Sequence, residues 1–290
     1  TITKNYESIF NDDLVSYLKR SLKIENKSSE KQEKQANQSQ ILRTALRLAG
    51  SLSLTIEGAQ ILEDNSIVPL IFNHLDDDDN REIVLTILTS QSAQIPVSQF
   101  LIDSIPKFIS VLTSTANTKN DQETIVVSFK HNKLPALNLN LQQTPEPNKN
   151  NEKVTMLTLT LLGNILSNPR APLVALKFFN EIIQFASDND LKVQHQALKI
   201  VLKMMGTYEA RNELANKELM STIITSLLPL TDSEDTSYDA YKALVFASQF
   251  QEGQEILTKI LPDLQDKLAN IDQSSNTRII CLKLVSRLSH

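Results

Sequence analysis

The chain has 290 residues, 41% of them hydrophobic and 22% charged, with a formal net charge of −5. Such a balance supports a large core, as one elongated array or two ordinary domains, and excludes a disordered chain. The modest acidity gives no electrostatic reason to expect nucleic acid as the main partner. Five glycines and no tryptophan argue against all-β folds, which need glycine-rich turns, and against glycine-rich phosphate cradles. The only cysteine, Cys281, rules out a disulfide framework and a cysteine zinc site, and a reducing, cytoplasmic setting is expected. The first residues are polar and charged, unlike a signal peptide. No run reaches the roughly 18 apolar residues of a membrane span. A start at Thr1 without methionine, and a stop at His290 directly after a helical pattern, lead us to expect an excerpt of a longer protein.

In chain order, residues 1–38 are expected to hold one amphipathic helix and a polar linker. Leu14, Leu18 and Leu22 recur at helical spacing behind an N-cap at Asn11 or Asp12, and residues 25–38 have almost nothing to bury. From Ser39 an array begins. Ile41, Ala45, Leu48 and Leu52 form the first stripe, and a short helix follows at 56–63. Ile67, Leu70, Ile71 and Leu75 mark another helix. The run Asp76–Asp79 is expected to cap the helix of Ile83, Val84, Ile87 and Leu88, because helix N-termini favour carboxylates. As a calcium loop it lacks the alternating oxygen ligands, central glycine and terminal glutamate.

Pro96 opens a short helix through Ile102, and Ile105-Pro106 opens one with Phe108, Ile109 and Leu112. Residues 114–153 break the pattern and are expected as a flexible insertion. Within it, Lys133–Leu141 alternates apolar and polar residues as an edge strand would. Helices resume at 154–166, 173–185 and 191–205, the last capped by Asp188–Asp190 and ended by Gly206. A short helix at 209–214 leads to further helices at 219–230, 233–247, 255–268 and 277–288. In the 255–268 helix, Ile256, Leu257, Ile260, Leu261, Leu264 and Leu268 are expected to be buried.

Two phrases in this pattern match. Ala45, Leu48 and Leu52 precede Thr55-Ile-Glu-Gly58, and Ala240, Leu244 and Ala247 precede Phe250-Gln-Glu-Gly253. The two glycines lie 195 positions apart, five steps of about 39, within the period range of helical solenoids. A short helix, a medium one and a longer third recur at this spacing. The carriers are Glu57-Gly58 with Ile61-Leu62 and Ile67-Val-Pro-Leu70, then Leu161–Ser167, then Glu252-Gly253 with Ile256-Leu257. Over 39–113 and 154–290 the chain resembles armadillo repeats, shading into HEAT-like pairs around 169–205. The resemblance implies an all-α, right-handed superhelical solenoid whose third helices line the concave side. It departs from the nuclear-import adaptors of that fold, whose ladder of Trp and Asn holds a basic peptide. Tryptophan is absent, Asn164 alone stands in an Asn-like place, and Ser51, Met204, Ala247 and Ser286 occupy the others. The Trp and basic loops of tubulin-binding HEAT domains are not evident either.

Catalysis has little support. Four scattered histidines (His74, His131, His195 and His290) show no metal-ligand spacing. No phosphate loop, nucleophile elbow or kinase signature occurs. No enzyme activity and no cofactor are therefore expected. The clustered positive charge falls on the third helices: Arg43 and Arg47; Lys192, His195, Lys199 and Lys203; Lys242; Arg278, Lys283 and Arg287. With Asn164 these, Lys242 apart, are the candidate partner-binding residues, suited to an acidic extended segment or helix, although cations also simply solvate amphipathic faces. The expected function is a protein-interaction scaffold or adaptor. The alternatives are a regulatory armadillo domain acting on a small GTPase, an attached kinase or a coiled coil, and self-association into a homo-oligomer through Cys281, Leu284 and Val285.

Overall fold

A computed structural model describes residues 2–23, 32–120, 149–188, 190–207, 210, 213, 217–271 and 275–289. Among them every regular element is helical. The long helices are α1 (Ile2–Ser21) and α2 (Gln32–Ser53). After them the chain runs in groups that each end in their longest helix: α3 (Ile56–Asp64), α4 (Val68–Phe72) and α5 (Asp78–Gln94), where the expected short-then-medium order is reversed; then α6 (Gln99–Asp103), α7 (Ile105–Asn120) and α8 (Lys149–Ile165). The next group is α9 (Ala171–Leu176), α10 (Phe179–Ile183) with a 3-10 turn at Gln184–Ser187, and α11 (Leu191–Met205). It is followed by α12 (Lys217–Leu227) and α13 (Glu234–Ala247), and finally by α14 (Gln251–Lys259), α15 (Leu261–Asn270) and α16 (Asn276–Leu288).

The third helices form one row, in which α2 packs on α5, α5 on α8, α8 on α11, α11 on α13 and α13 on α16. A helix flanked on both sides must bury residues over a wide arc. Accordingly α5 buries Val84, Leu85, Ile87, Leu88 and Gln91, and α11 buries Val193, Ala197, Leu198, Ile200, Val201 and Met204. The buried side chains join into one core running from Val15 to Leu288, as expected when each unit hides its apolar face against the next.

The local chemistry of the starts follows the expected caps. Asp77 Oδ1 accepts the Asp79 N–H at 3.1 Å, and Asp190 Oδ1 accepts that of Lys192 at 2.8 Å. At the head of α3, Thr55 Oγ1 accepts the Gly58 N–H at 3.1 Å. Gly58 and Gly253 occupy the same third position of α3 and α14. A Cβ at Gly58 would lie 2.2 Å from the Leu52 carbonyl oxygen, and one at Gly253 would lie 2.0 Å from that of Ala247. Both short helices thus cross directly over the last turn of the preceding third helix. Only a residue without a side chain fits that approach.

Several sequence expectations are corrected. Helix α1 passes through Asn11 and Asp12 without a start there, and α2 begins at Gln32, seven residues before the expected array. Helices α7 and α8 take in both edges of the expected insertion. Thr and Asn are poor helix formers, but packing overrides propensity: Thr115 and Thr155 are buried with their hydroxyls 3.1 Å apart, joining α7 to α8. The expected helix at 173–185 is two short ones, broken at Lys177-Phe178, and 255–268 is broken at Ile260 with Pro262 seeding the second piece. Of the six residues expected to be buried there, Leu257 and Leu264 are, and the others are half-buried. Gly206 ends α11 with an ordinary right-handed φ of −78°. The strand-like 133–141, most of the 209–214 helix, His131 and His290 lie outside the described residues.

Candidate protein-binding face of the third helices

The ten candidate residues divide into three groups by what their side chains touch. The first group ties neighbouring repeats together. Asn164 on α8 donates to the Thr89 carbonyl at 3.2 Å and to Ser92 Oγ at 3.1 Å, both on α5. Lys203 on α11 donates to the Gly163 carbonyl and, at 3.1 Å, to Ser167 Oγ, reaching the end of α8. Arg287 on α16 donates through Nε to the Ser248 carbonyl at 3.1 Å, at the end of α13. Arg278 donates through Nη1 to the carbonyls of Leu268 and Ile271, each at 2.9 Å, closing the end of α15. Cations suit these places, because the last turn of a helix leaves carbonyls unpaired at the negative end of its dipole. Partial burial holds the Lys203 ammonium below its usual pKa.

The second group is paired with carboxylates across the row. Arg43 Nη2 lies 3.2 Å from Asp79 Oδ2, between α2 and α5, and His195 Nδ1 lies 3.6 Å from Asp239 Oδ2, between α11 and α13. A third bridge of this kind, Lys153 to Glu82 at 2.5 Å, joins α8 to α5. The remaining group is Arg47, Lys192, Lys199 and Lys283. These are exposed, and their side chains make no ion pair or hydrogen bond among the described residues; the same holds for Lys242 on α13. The sequence-level stripe is therefore partly mortar and partly free charge, and the free charge gathers on α11, α13 and α16. Helices α11 and α16 each carry three Lys or Arg and no carboxylate.

The expected self-association face is corrected. Cys281 and Leu284 are fully buried and Val285 is half-buried, whereas Ile279 and Leu282 on the opposite side of α16 are 51% and 45% exposed. Burial pushes up the Cys281 thiol pKa, and it also raises that of the buried Tyr241 phenol, to which Cys281 adds. Sequence reasoning missed a shallow groove between α13 and α16, lined by Val245, Ile279, Leu282, Lys283, Ser286 and Arg287. Among the described residues no group of three His, Cys, Asp or Glu is arranged to hold a metal ion. No helix there is long and apolar enough to cross a membrane.

No protein-family model and no curated protein sequence matches the chain. Solved structures do. A designed armadillo repeat protein superposes with a TM-score of 0.57 at 14% identity, over 95% of this chain and 98% of its own. A second designed armadillo repeat protein, solved in complex with the peptide (KR)4, gives 0.56 at 15% identity over 95% and 99%. An engineered protein gives 0.56 at 13% identity over 96% of both chains. The row of third helices, the glycine crossings and this likeness over nearly the whole length agree: the chain has the armadillo/HEAT-type helical repeat fold, an all-α right-handed superhelical solenoid.

Proposed function

We propose that the chain is a non-catalytic interaction scaffold that binds an extended protein segment along its third helices. The observation that carries this is the run of free cations on α11, α13 and α16 (Lys192, Lys199, Lys242 and Lys283) in a chain of net charge −5. Cations left unpaired on adjacent helices raise the local concentration of an oppositely charged partner and orient it. The (KR)4 peptide of the similar designed protein is basic; for this chain the charge favours the opposite sign. An elongated face of this kind works by shape and charge, so no cofactor is invoked, and the setting we propose is cytoplasmic.

The test is fluorescence anisotropy with two labelled peptides of about a dozen residues, one rich in Glu and one of alternating Lys and Arg. The acidic peptide is expected to bind the wild-type chain and to bind a K192E/K199E/K242E variant about tenfold or more weakly. Lys203 is left untouched because it is bonded to α8. The proposal fails if neither peptide binds, or if the charge reversal leaves binding unchanged in a variant with an unaltered melting curve.

A further inference from the structure

Resting on that reading, we infer that the α13–α16 groove is the anchor point of the binding face, and that its occupant is a partner segment with a bulky apolar side chain flanked by carboxylates. The floor is aliphatic: Val245 from α13, with Ile279 and Leu282 from α16. Ile279 and Leu282 are among the large apolar residues left substantially exposed among the described residues. The sides are basic. Lys283 stands at the groove one turn beyond Ile279, and the exposed Lys242 precedes Val245 by three positions on the same side of α13. Arg287 adds its charge while its Nε stays bonded to the Ser248 carbonyl.

The nearby carboxylates do not cancel this. Helix α16 has none. Those of α13 lie in its first two turns, Glu234 and Asp235 at the start and Asp239 beside His195. Elsewhere on the row Arg43 meets Asp79 and Lys153 meets Glu82 across neighbouring helices, while Arg47, Lys192 and Lys199 stand unpaired among the described residues but border no such apolar groove. At α13–α16 Lys242 and Lys283 meet none among the described residues. An apolar floor bordered by uncompensated ammonium groups complements one chemistry in particular. A purely acidic segment leaves Ile279 and Leu282 in water, and a basic amphipathic one sets like charges against each other.

The probes are fluorescein-labelled peptides of about a dozen residues: one with a central Leu among Glu residues, the same with Ser for Leu, and the same with Lys for Glu. The Leu peptide is expected to bind about tenfold tighter than the Ser peptide, because one aliphatic side chain leaves water, and the Lys peptide is not expected to bind. Ile279→Ser and Lys283→Glu should each remove most of the preference or affinity without moving the melting curve, while Lys23→Glu, an exposed cation outside the third helices, changes neither. If Leu and Ser peptides bind alike, the groove is not an anchor. If acidic binding responds to Lys199→Glu but not to Ile279→Ser or Lys283→Glu, this inference falls and the scaffold reading stands. If no peptide binds, both fall. If instead the chain alone shows a concentration-dependent mass in sedimentation that Ile279→Ser abolishes, the face belongs to a second copy and the partner segment is excluded.

Discussion

Replacing Gly58 by alanine tests the account of the repeat most directly. A methyl group there would sit 2.2 Å from the Leu52 carbonyl oxygen and 2.8 Å from its carbon. Ordinary van der Waals contact needs about 3.2–3.5 Å between such atoms, so α3 or the end of α2 has to move by roughly 1 Å. The obstacle is backbone and does not swing aside as a flexible side chain would. The neighbouring Ala59 and Leu62 are fully buried, so displacing α3 disturbs the core as well. Overpacking of this kind costs about 1–3 kcal/mol, and the rigidity of the obstacle places Gly58→Ala toward the upper end. The internal control is Gly50 in α2, where a Cβ meets only Ile87 Cγ1 at 3.6 Å. There alanine gains helix propensity, up to about 1 kcal/mol. Guanidinium denaturation followed by far-UV circular dichroism should therefore separate the two variants by about 2–4 kcal/mol. Gly253→Ala should behave as Gly58→Ala does. Equal midpoints for Gly58→Ala and Gly50→Ala would refute the close-crossing argument.

Two further predictions follow from local chemistry. Asp77→Ala removes both the α5 cap and the acceptor of the Asn80 amide, 2.7 Å away on a buried side chain; it should cost about 1–2 kcal/mol. Asp79→Ala, losing only an exposed pair with Arg43, should cost under about 0.5 kcal/mol in the same titration. Equal costs would mean that the acidic run acts by charge alone. In the last repeat, Cys281 and Tyr241 have pKa values raised above 9.0 and 10.0 by burial. The unfolded chain releases these protons first, so stability is whole at neutral pH and falls as pH rises through 9.0 and beyond. Chemical denaturation across that range should show the decline, and Cys281→Ala should flatten it. A decline of identical slope in the variant would show that the thiol is not its source.

Much of the fold was legible because a helix that packs on both sides leaves a strong periodic imprint. The third helices, the caps at Asp77 and Asp190 and the glycine pair 58/253 were readable from spacing alone. The ends of α7 and α8 were not. There, Thr115 and Thr155 form helix because they meet each other across 40 positions, which no local window records. The orientation of α16 was misread for a different reason. Ile279, Ile280, Cys281, Leu282, Leu284, Val285 and Leu288 surround most of that helix with apolar side chains, so periodicity does not say which side faces inward. For the cations the missing quantity was the register between neighbouring third helices. A lysine at one position bonds the last turn of the previous helix; one turn earlier, as at Lys199, it points to solvent.

That division of the cations can be measured independently of any ligand. Methionine keeps most of the aliphatic stem of Lys or Arg and removes the donors. Lys203→Met withdraws a donor from the Gly163 carbonyl and Ser167, and Arg287→Met withdraws one from the Ser248 carbonyl. Each should lower stability by about 0.5–1.5 kcal/mol. The two sites lie on α11 and α16 with α13 between them, so their effects should add. Lys199→Met and Lys283→Met touch no described partner and should stay within about 0.5 kcal/mol of wild type. The binding experiment should rank them the other way, with Lys199 and Lys283 mattering most for an acidic peptide. A residue that bonds a carbonyl of the preceding helix commits a donor to the solenoid, and one that faces water keeps all of its donors for a partner. If stability and binding rank the four substitutions in the same order, the third-helix cations form a single class, and the separation of mortar from binding surface is wrong.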